Sequence, residues 1–495
     1  MQFVINPILV RGLGTYLYGA WRVLYSLNGY LWAASGRSAQ ALTWVIAHGQ
    51  RSLTEEEKRR YVGSAIVVWF IFLPFLALVG GLGAWFAPTF LHTPEHYVWG
   101  VRAAAGLLTA DAIALTLLSI PRSVLQGENL GYKRMGLSAA LILASGGLFI
   151  VAIKLDTGIA GVALANVTGT VVTGSLFWKV TRTNVRWFGI ARPSRQDIRW
   201  FLGLSGWFTA WKFVYELLTA GDVIVLAVFG SVELVTVYTL TKFVSQALVP
   251  FIAVLFEGSS PGLGSILGSG DHAKGIRLRE ELMAFSWILS TAAGASLLLW
   301  NRSFVSLWLG PRFYAGPGSM WLIVVMVTQF VFIGNDARII DLTLKIRAKV
   351  LTGAASATLS VVLAAVSMRI FDDVIVGMCV GIIVGRLILT VAYPWLIGRM
   401  LDYPPLRQLR GILRPAATTA VLFAVAAWFG ERVSADTWVT LVLWGVATAV
   451  LVTLGASFIG MSRRQRAALF ARLRKIVGGA NITRPGGQGT GTPGP

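Results

Sequence analysis

Apolar residues recur along this chain in long unbroken stretches rather than in short alternating ones. A hydrocarbon core about 30 Å thick takes about 20 mostly apolar residues per helical crossing. Stretches of that kind are predicted at 14–35, 61–87, 98–120, 135–154, 158–180, 201–229, 232–257, 281–308, 318–336, 350–370, 374–398, 413–430 and 437–460. The expectation is an all-α polytopic membrane protein, since only helices and closed barrels satisfy their backbone in lipid. A barrel is excluded because its strands would alternate over short segments. Ahead of the first span, Met1–Val10 is a stub too short to cross, with neither the basic region nor the cleavage site of a signal peptide.

Polar segments divide the pattern. Helix bundles are expected at 1–180 and 201–398, joined by a basic linker at 181–200. Two extra helices fall within 411–460, and a basic tail, 461–495, ends in a Gly-Pro-Thr-rich stretch that reads as disordered.

Composition sharpens this reading. Of 495 residues 55% are hydrophobic and 13% charged, against roughly a quarter charged in soluble domains. The single cysteine, Cys379, excludes a disulfide framework. The four histidines are not expected to form a metal site. No phosphate-binding loop or cofactor motif occurs, so no cofactor is expected and energy must come from a gradient or from consumption of the product.

The net charge of +21 sits in alternate loops. One side carries Arg51 with Lys58-Arg59-Arg60, Lys133-Arg134, Arg182 through Arg199, Lys274-Arg277-Arg279, Lys345-Arg347-Lys349, Arg407-Arg410-Arg414 and Arg463-Arg464-Arg466. The other side has short loops with single basic residues, such as Lys154, Arg312, Arg369 and Arg432. Basic loops stay cytoplasmic, which places a multi-pass protein in the cytoplasmic membrane. The same distribution points to anionic lipid rather than nucleic acid as the partner of the positive charge. It also asks for an outward helix before residue 14. Either part of that helix lies upstream of Met1, or the chain works with a degenerate one.

Internal repetition follows. Asp156, Gly161 and Gly169 recur as Asp372, Gly377 and Gly385 at an offset of 216 residues, which also relates Gly14 to Gly230. Trp85-x-x-Pro88 recurs as Trp308-x-x-Pro311, and Asp111 and Asp336 fall in the two spans that follow. An even number of spans separates the copies, so both have one topology, as in transporters built of parallel repeats.

Three stretches carry a family resemblance: Leu13-Gly14-Thr15-Tyr16-Leu17-Tyr18-Gly19-Ala20-Trp21, Phe229-Gly230 with Val237-Tyr238, and Trp308-Leu309-Gly310-x-x-Phe313-Tyr314. With them the chain resembles the oligosaccharide flippases, the O-antigen and exopolysaccharide translocases of the multidrug/oligosaccharidyl-lipid/polysaccharide exporter superfamily. The resemblance implies two six-helix lobes, the first helix here truncated, forming a V-shaped MATE-like cavity, plus the two extra helices. It also implies alternating access carrying an undecaprenyl-diphosphate-linked oligosaccharide outward for polysaccharide or lipopolysaccharide biosynthesis, with a polymerase of the same pathway as a further partner. Such a protein is not an enzyme.

Charges inside spans are costly and default to functional hypotheses. At about 1.5 Å per residue, Arg386, Lys242 and Lys212 lie about 15–18 Å into their helices and Arg22 about 12 Å. These four are the candidate substrate-binding cations, because a diphosphate needs cationic partners: Arg as a bidentate fork, Lys as a point charge. Arg386 and Lys242 are expected to face a wet interior. Asp111 and Glu216 share their depth and are the candidate coupling acids. Lys212 and Glu216, four residues apart, can also neutralise each other. Asn28, Trp207, Trp211, Tyr215 and Gln246 offer hydrogen bonding or stacking to sugars. Arg102, Asp222 and Glu233 are expected near the outer surface without a special role.

Two other functions fit the same spans. A drug or metabolite/cation antiporter of the superfamily would sit awkwardly with a cationic interior. A membrane-embedded polymerase or glycosyltransferase would need a larger outer domain than these loops allow.

Overall fold

A computed structural model describes residues 1–50, 52–130, 135–268, 271–342, 346–461 and 466. The basic residues Arg51, Lys133-Arg134, Lys345 and Arg463-Arg464, and the tail from 467, lie outside the described residues. Among the described residues the regular structure is helical, in order α1 Gln2–Ala33, α2 Ser38–His48, α3 Glu55–Phe90, α4 Val98–Leu118, α5 Ile120–Gly127, α6 Met135–Lys154, α7 Gly158–Asn184 and α8 Arg195–Phe229. There follow α9 Val232–Gly268, α10 His272–Trp308, α11 Pro317–Leu342, α12 Ile346–Ser367, α13 Val374–Gly385, α14 Leu387–Leu401, α15 Pro405–Gly430 and α16 Trp438–Gly455.

Eleven of the described helical segments are long and apolar enough to cross a membrane. The two predicted spans outside that set are those of α1 and α8, which carry Arg22 and Lys212, Glu216 and Asp222 in their interiors. Their polarity lowers their apolar content without shortening them: they run to 32 and 35 residues.

Local chemistry sets several boundaries. Thr54 accepts from the Glu57 amide at 3.3 Å while Glu57 accepts from the Thr54 amide at 2.8 Å, a reciprocal cap that starts α3 well before the apolar stretch. Ser194 and Asp197 do the same for α8 at 3.1 and 3.0 Å. Asp373 caps α13, accepting from the amides of Ile375 and Val376. The repeated Asp156 does something different: it takes a left-handed φ of 52° after α6. The stub is also helical, and Gly14, at φ 77°, breaks α1 between it and the first full span.

The chain divides into two compact units: 1–246, 301–329 and 344–393 form the first, and 247–300, 330–343 and 394–495 the second. In the first, α4 packs on α1, α3 and α7, α8 on α1 and α12, and α12 on α13. A Cβ on Gly385 would stand 2.4 Å from the Ser360 Cα, so α12 and α13 meet backbone to backbone. The segment after the first span, expected as a loop, folds instead as α2, whose Leu42, Val45 and Ile46 are buried against α3 and α5. An amphipathic helix that buries its apolar side escapes a search for span-length runs.

The loops of this unit alternate as their charges imply. At one end, Lys58 pairs with Glu128 at 2.7 Å, Arg59 donates to the Trp187 carbonyl at 2.8 Å and Arg60 lies 3.9 Å from Asp197. At the other, Tyr16 donates to Leu91 O at 3.0 Å and to Thr93 at 2.9 Å, and Thr236 donates to Thr15 O at 2.7 Å.

In the second unit, α10 and α11 are joined by Arg279 and Asp336, 2.7 Å apart and both buried. Thr291 meets Thr419 of α15 at 2.6 Å, and Trp300 donates to Thr448 of α16 at 3.1 Å.

Candidate functional site

The motif residues build the frame. A Cβ on Gly19 would meet Val232 O at 2.1 Å, so only glycine lets α1 pass the start of α9 this closely. Tyr18 and Trp21 are buried beside it. The Trp308 indole donates to Phe3 O at 2.9 Å, and Thr241 donates to Phe313 O at 3.1 Å. These contacts hold α1, α9 and the end of α10 in a fixed register.

On that frame the six predicted site residues fall into two groups. The first surrounds α1 and contains Arg22, Asp111, Lys212 and Glu216. Tyr18, Arg22, Tyr25, Gly29 and Trp32 follow one another at three- or four-residue steps and so share a helix face. Tyr25 is 44% exposed. It lies within the fields of Asp111, Arg22 and Glu216 together. The Arg22 Nε makes no hydrogen bond among the described residues. Lys212 and Glu216 are ion-paired along α8, and Lys212 also stands 5.2 Å over Trp32 and 4.9 Å over Tyr215. Tyr30 donates to the Glu216 carbonyl at 3.2 Å, which ties α8 to α1. Asp111, from α4, accepts from Asn28 Nδ2 at 3.1 Å, and Asn166 and Thr170 of α7 flank its carboxylate.

The second group holds Lys242 and Arg386, and here two expectations are corrected. Neither side chain stands in an open interior: they are 5% and 4% exposed. Asp222 is not a surface residue but the buried partner of Lys242, ion-paired with it and accepting from the Tyr238 hydroxyl at 2.5 Å. A buried cation without a counter-charge is far costlier than a paired one, so the ammonium takes the nearest carboxylate. Arg386 stands at the junction of α13 and α14 and donates to backbone oxygens of Leu218 on α8 and Met326 on α11.

Asp222 was discoverable in the sequence. It lies about 10 Å below the end of its helix and Lys242 about 15 Å below the start of the next, a difference that a lysine side chain spans. Asn166, Thr170 and Tyr238 carried no comparable signal, because uncharged polar residues are common in spans. Of the residues considered for sugars, Asn28 belongs to the first group as a buried partner of Asp111. Trp211 has the buried Lys349 ammonium 3.5 Å over its ring.

Long apolar helices interrupted by such polar groups define an all-α polytopic membrane transporter fold, and the chain shares it with solved structures. It is similar to an inward-facing multidrug resistance MATE family transporter of the MOP superfamily, with a TM-score of 0.66, 16% identity, and 82% of this chain and 96% of that one covered. It is similar also to the lipid II flippase MurJ in an inward closed conformation, with a TM-score of 0.65, 12% identity, and 95% and 96% covered. A MOP superfamily transporter from Pyrococcus furiosus follows the same fold at a TM-score of 0.58 and 15% identity, covering 81% and 92%. No curated protein matches the sequence. Residues 1–261 match the family of polysaccharide biosynthesis proteins, and the chain belongs to that family.

Proposed function

We propose that the chain translocates a lipid-linked oligosaccharide diphosphate across the cytoplasmic membrane by alternating access of two lobes, 1–180 and 201–398, for polysaccharide assembly. The observation that carries this reading is the α1 face. In a polysaccharide biosynthesis protein, it sets Arg22 and Lys212 among tyrosine and tryptophan rings in the two long helices, α1 and α8, that carry charge in their interiors. A diphosphate is a fixed polyanion, and a guanidinium with an unsatisfied N–H is ready to donate to it. The lipid tail stays in the bilayer while sugars meet hydroxyl and ring groups. The fold shared with a lipid II flippase supports a lipid-linked cargo.

In this proposal Arg22 and Lys212 meet the diphosphate in the state described. Lys242 and Arg386 join only where a change of state frees them from Asp222 and the backbone oxygens. Asp111 is a better coupling acid than Glu216, whose charge Lys212 already answers.

The test is complementation of a strain lacking its flippase, with protein in the membrane measured in parallel. Each charge-assisted phosphate contact is worth about 1.5–3 kcal/mol, roughly ten- to a hundredfold in affinity. Arg22→Ala and Lys212→Ala should together abolish polysaccharide export at unchanged protein level. Wild-type export from that double variant would overturn the assignment.

A further inference from the structure

The α15 helix begins at Pro405, well before the span predicted from 413. In this extension Leu406, Leu409 and Leu413 follow one another at three- and four-residue steps and share one face, where they are 71%, 53% and 57% exposed. Arg407, Arg410 and Arg414 repeat the same steps one residue on, so a basic row, also exposed, runs beside the apolar one. The inward face is fixed by the buried Gln408, which donates to the carbonyls of Pro394 and Tyr403 at 3.1 Å each. Each row is about 10 Å long at about 1.5 Å per residue, enough to cross a headgroup layer about 5–8 Å deep. Leucines left open to water at this end would be costly, whereas beside arginines in a membrane interface they are not.

The arginines of this row are not answered by acids. Among the described residues no carboxylate pairs with Arg407, Arg410 or Arg414. The acids beside the start of α15 are engaged elsewhere: Asp402 stands 3.7 Å from His272, and Glu280 accepts from the Tyr403 hydroxyl. Arg414 Nε donates to Ile459 O at 2.6 Å, on the last turn after α16, Ala456–Gly460. That bond orients the guanidinium and leaves its terminal N–H groups for a ligand. Arg466 stands 5.3 Å over the ring of the neighbouring Phe458 and brings a further cation to the same end. Phe458 and Ile459 are themselves exposed, and α16 is the least buried of the described spans. Lipid is therefore what surrounds this cluster.

We propose that the exposed face of α15 and the end of α16 form a binding site for an anionic phospholipid of the cytoplasmic leaflet. Arg410 and Arg414 hold its phosphate, Arg407 and Arg466 add charge, and an acyl chain lies along Leu409 and Leu413. A phosphodiester accepts several charge-assisted hydrogen bonds, and a guanidinium presents its donors in a matching fork. The arginine stems cover the junction between the two rows while their heads reach the headgroup layer. A zwitterionic lipid brings its own ammonium to that layer and gains less from the row. Occupancy pins the start of α15 to the leaflet and, through Arg414, the end of α16 with it. The site goes beyond the transport reading and does not rest on it: α15 and α16 belong to the second unit, the α1 face to the first, and the ligand is bulk lipid rather than cargo.

The experiment is native mass spectrometry of the purified full chain with added phosphatidylglycerol or phosphatidylcholine of identical acyl chains, with thermal unfolding read in parallel. Wild type should retain phosphatidylglycerol in preference, and its melting temperature should rise by several degrees with that lipid alone. Arg410→Gln with Arg414→Gln should weaken retention about twenty-fivefold, at about fivefold per arginine, and remove the shift. Arg407→Gln with Arg410→Gln leaves the bond to Ile459 in place, so it tests the row even if loss of Arg414 unfolds the end of α16, and it should weaken retention by a similar factor. Arg182→Gln with Arg186→Gln, exposed on the same basic side at the linker, should change neither readout. Equal retention of the two lipids by wild type would overturn the site, and so would retention unaltered in both α15 variants. An equal loss in the linker variant would overturn it too, since a diffuse positive field would then account for the preference. Undecaprenyl diphosphate added as a competitor should leave the phosphatidylglycerol bound, and its displacement at equimolar concentration would reassign the row to the cargo. Neither readout involves export, so failure of the α1 assignment leaves this result standing and the reverse also holds.

Discussion

Asp111 and Asp222 are carboxylates of the same unit, 2% and 4% exposed, and their surroundings differ in kind. Asp222 is held by an ammonium and a phenol, Lys242 and Tyr238. Asp111 is met by uncharged groups instead, the Asn28 amide with Asn166 and Thr170 beside it. The first arrangement is closed, with the buried charge answered inside the protein. The second leaves the charge solvated by neutral donors, and near it stand Tyr25, half open, and Arg22, whose Nε is unmet. Within an apolar bundle, depth and charge do not distinguish a structural ion from one awaiting a ligand. The partner does. Asp336, which the repeat aligns with Asp111, makes the same point, because it is paired with Arg279 in the second unit.

The comparison is broken most forcefully at Asp222. Removing one member of a buried pair strands the other and costs about 3–5 kcal/mol. Asp222→Ala should therefore deplete the protein from the membrane, as immunoblotting of membrane fractions would show. Asp222→Asn combined with Lys242→Met should recover most of it, since an uncharged pair of similar volume is tolerated. Normal levels of Asp222→Ala would mean that Lys242 is not held as a structural ion. Next in size is Arg22→Ala, expected to lower export about ten- to a hundredfold without loss of protein. Arg22→Lys should keep part of the activity by retaining charge without the fork. A drop in protein level equal to the drop in export would move Arg22 to the closed group.

Gly19→Ala probes the frame that both groups share. Its new methyl would press on Val232 O, and overpacking of this kind costs about 1–3 kcal/mol, readable as a lowered melting temperature in detergent. The smallest effect is expected from Thr54→Ala, which removes the cap of α3 at the basic end, remote from both aspartates. A loss of about 1 kcal/mol with unchanged export would show that destabilisation by itself does not mimic loss of the α1 site.

Much of this was legible in the sequence. The long helices follow from apolar runs, because a bilayer leaves the backbone no other satisfied conformation over that length. The alternation of loops follows from Arg and Lys, and in the first unit Lys58, Glu128 and Trp187 do meet at one end. Gly14 and Gly19 mark a backbone break and a close approach, demands that glycine alone meets and that a motif therefore preserves in plain view. Depth along each helix identified Arg22, Asp111, Lys212, Glu216, Lys242 and Arg386 as costly residues.

Tertiary structure decided which of those costs were already met. Depth gives one coordinate of a side chain and leaves rotation and neighbours open. The ion pair of Lys242 with Asp222, the backbone oxygens under Arg386 and the neutral partners of Asp111 depend on which helix faces which. The apolar side of α2 found its place only against α3 and α5. Hydrophobicity is a property of each residue summed along the chain and survives as a one-dimensional signal. The partners of Lys242 and Arg386 lie 20 and 168 positions away in the chain, and such a contact comes into existence only when the bundle closes.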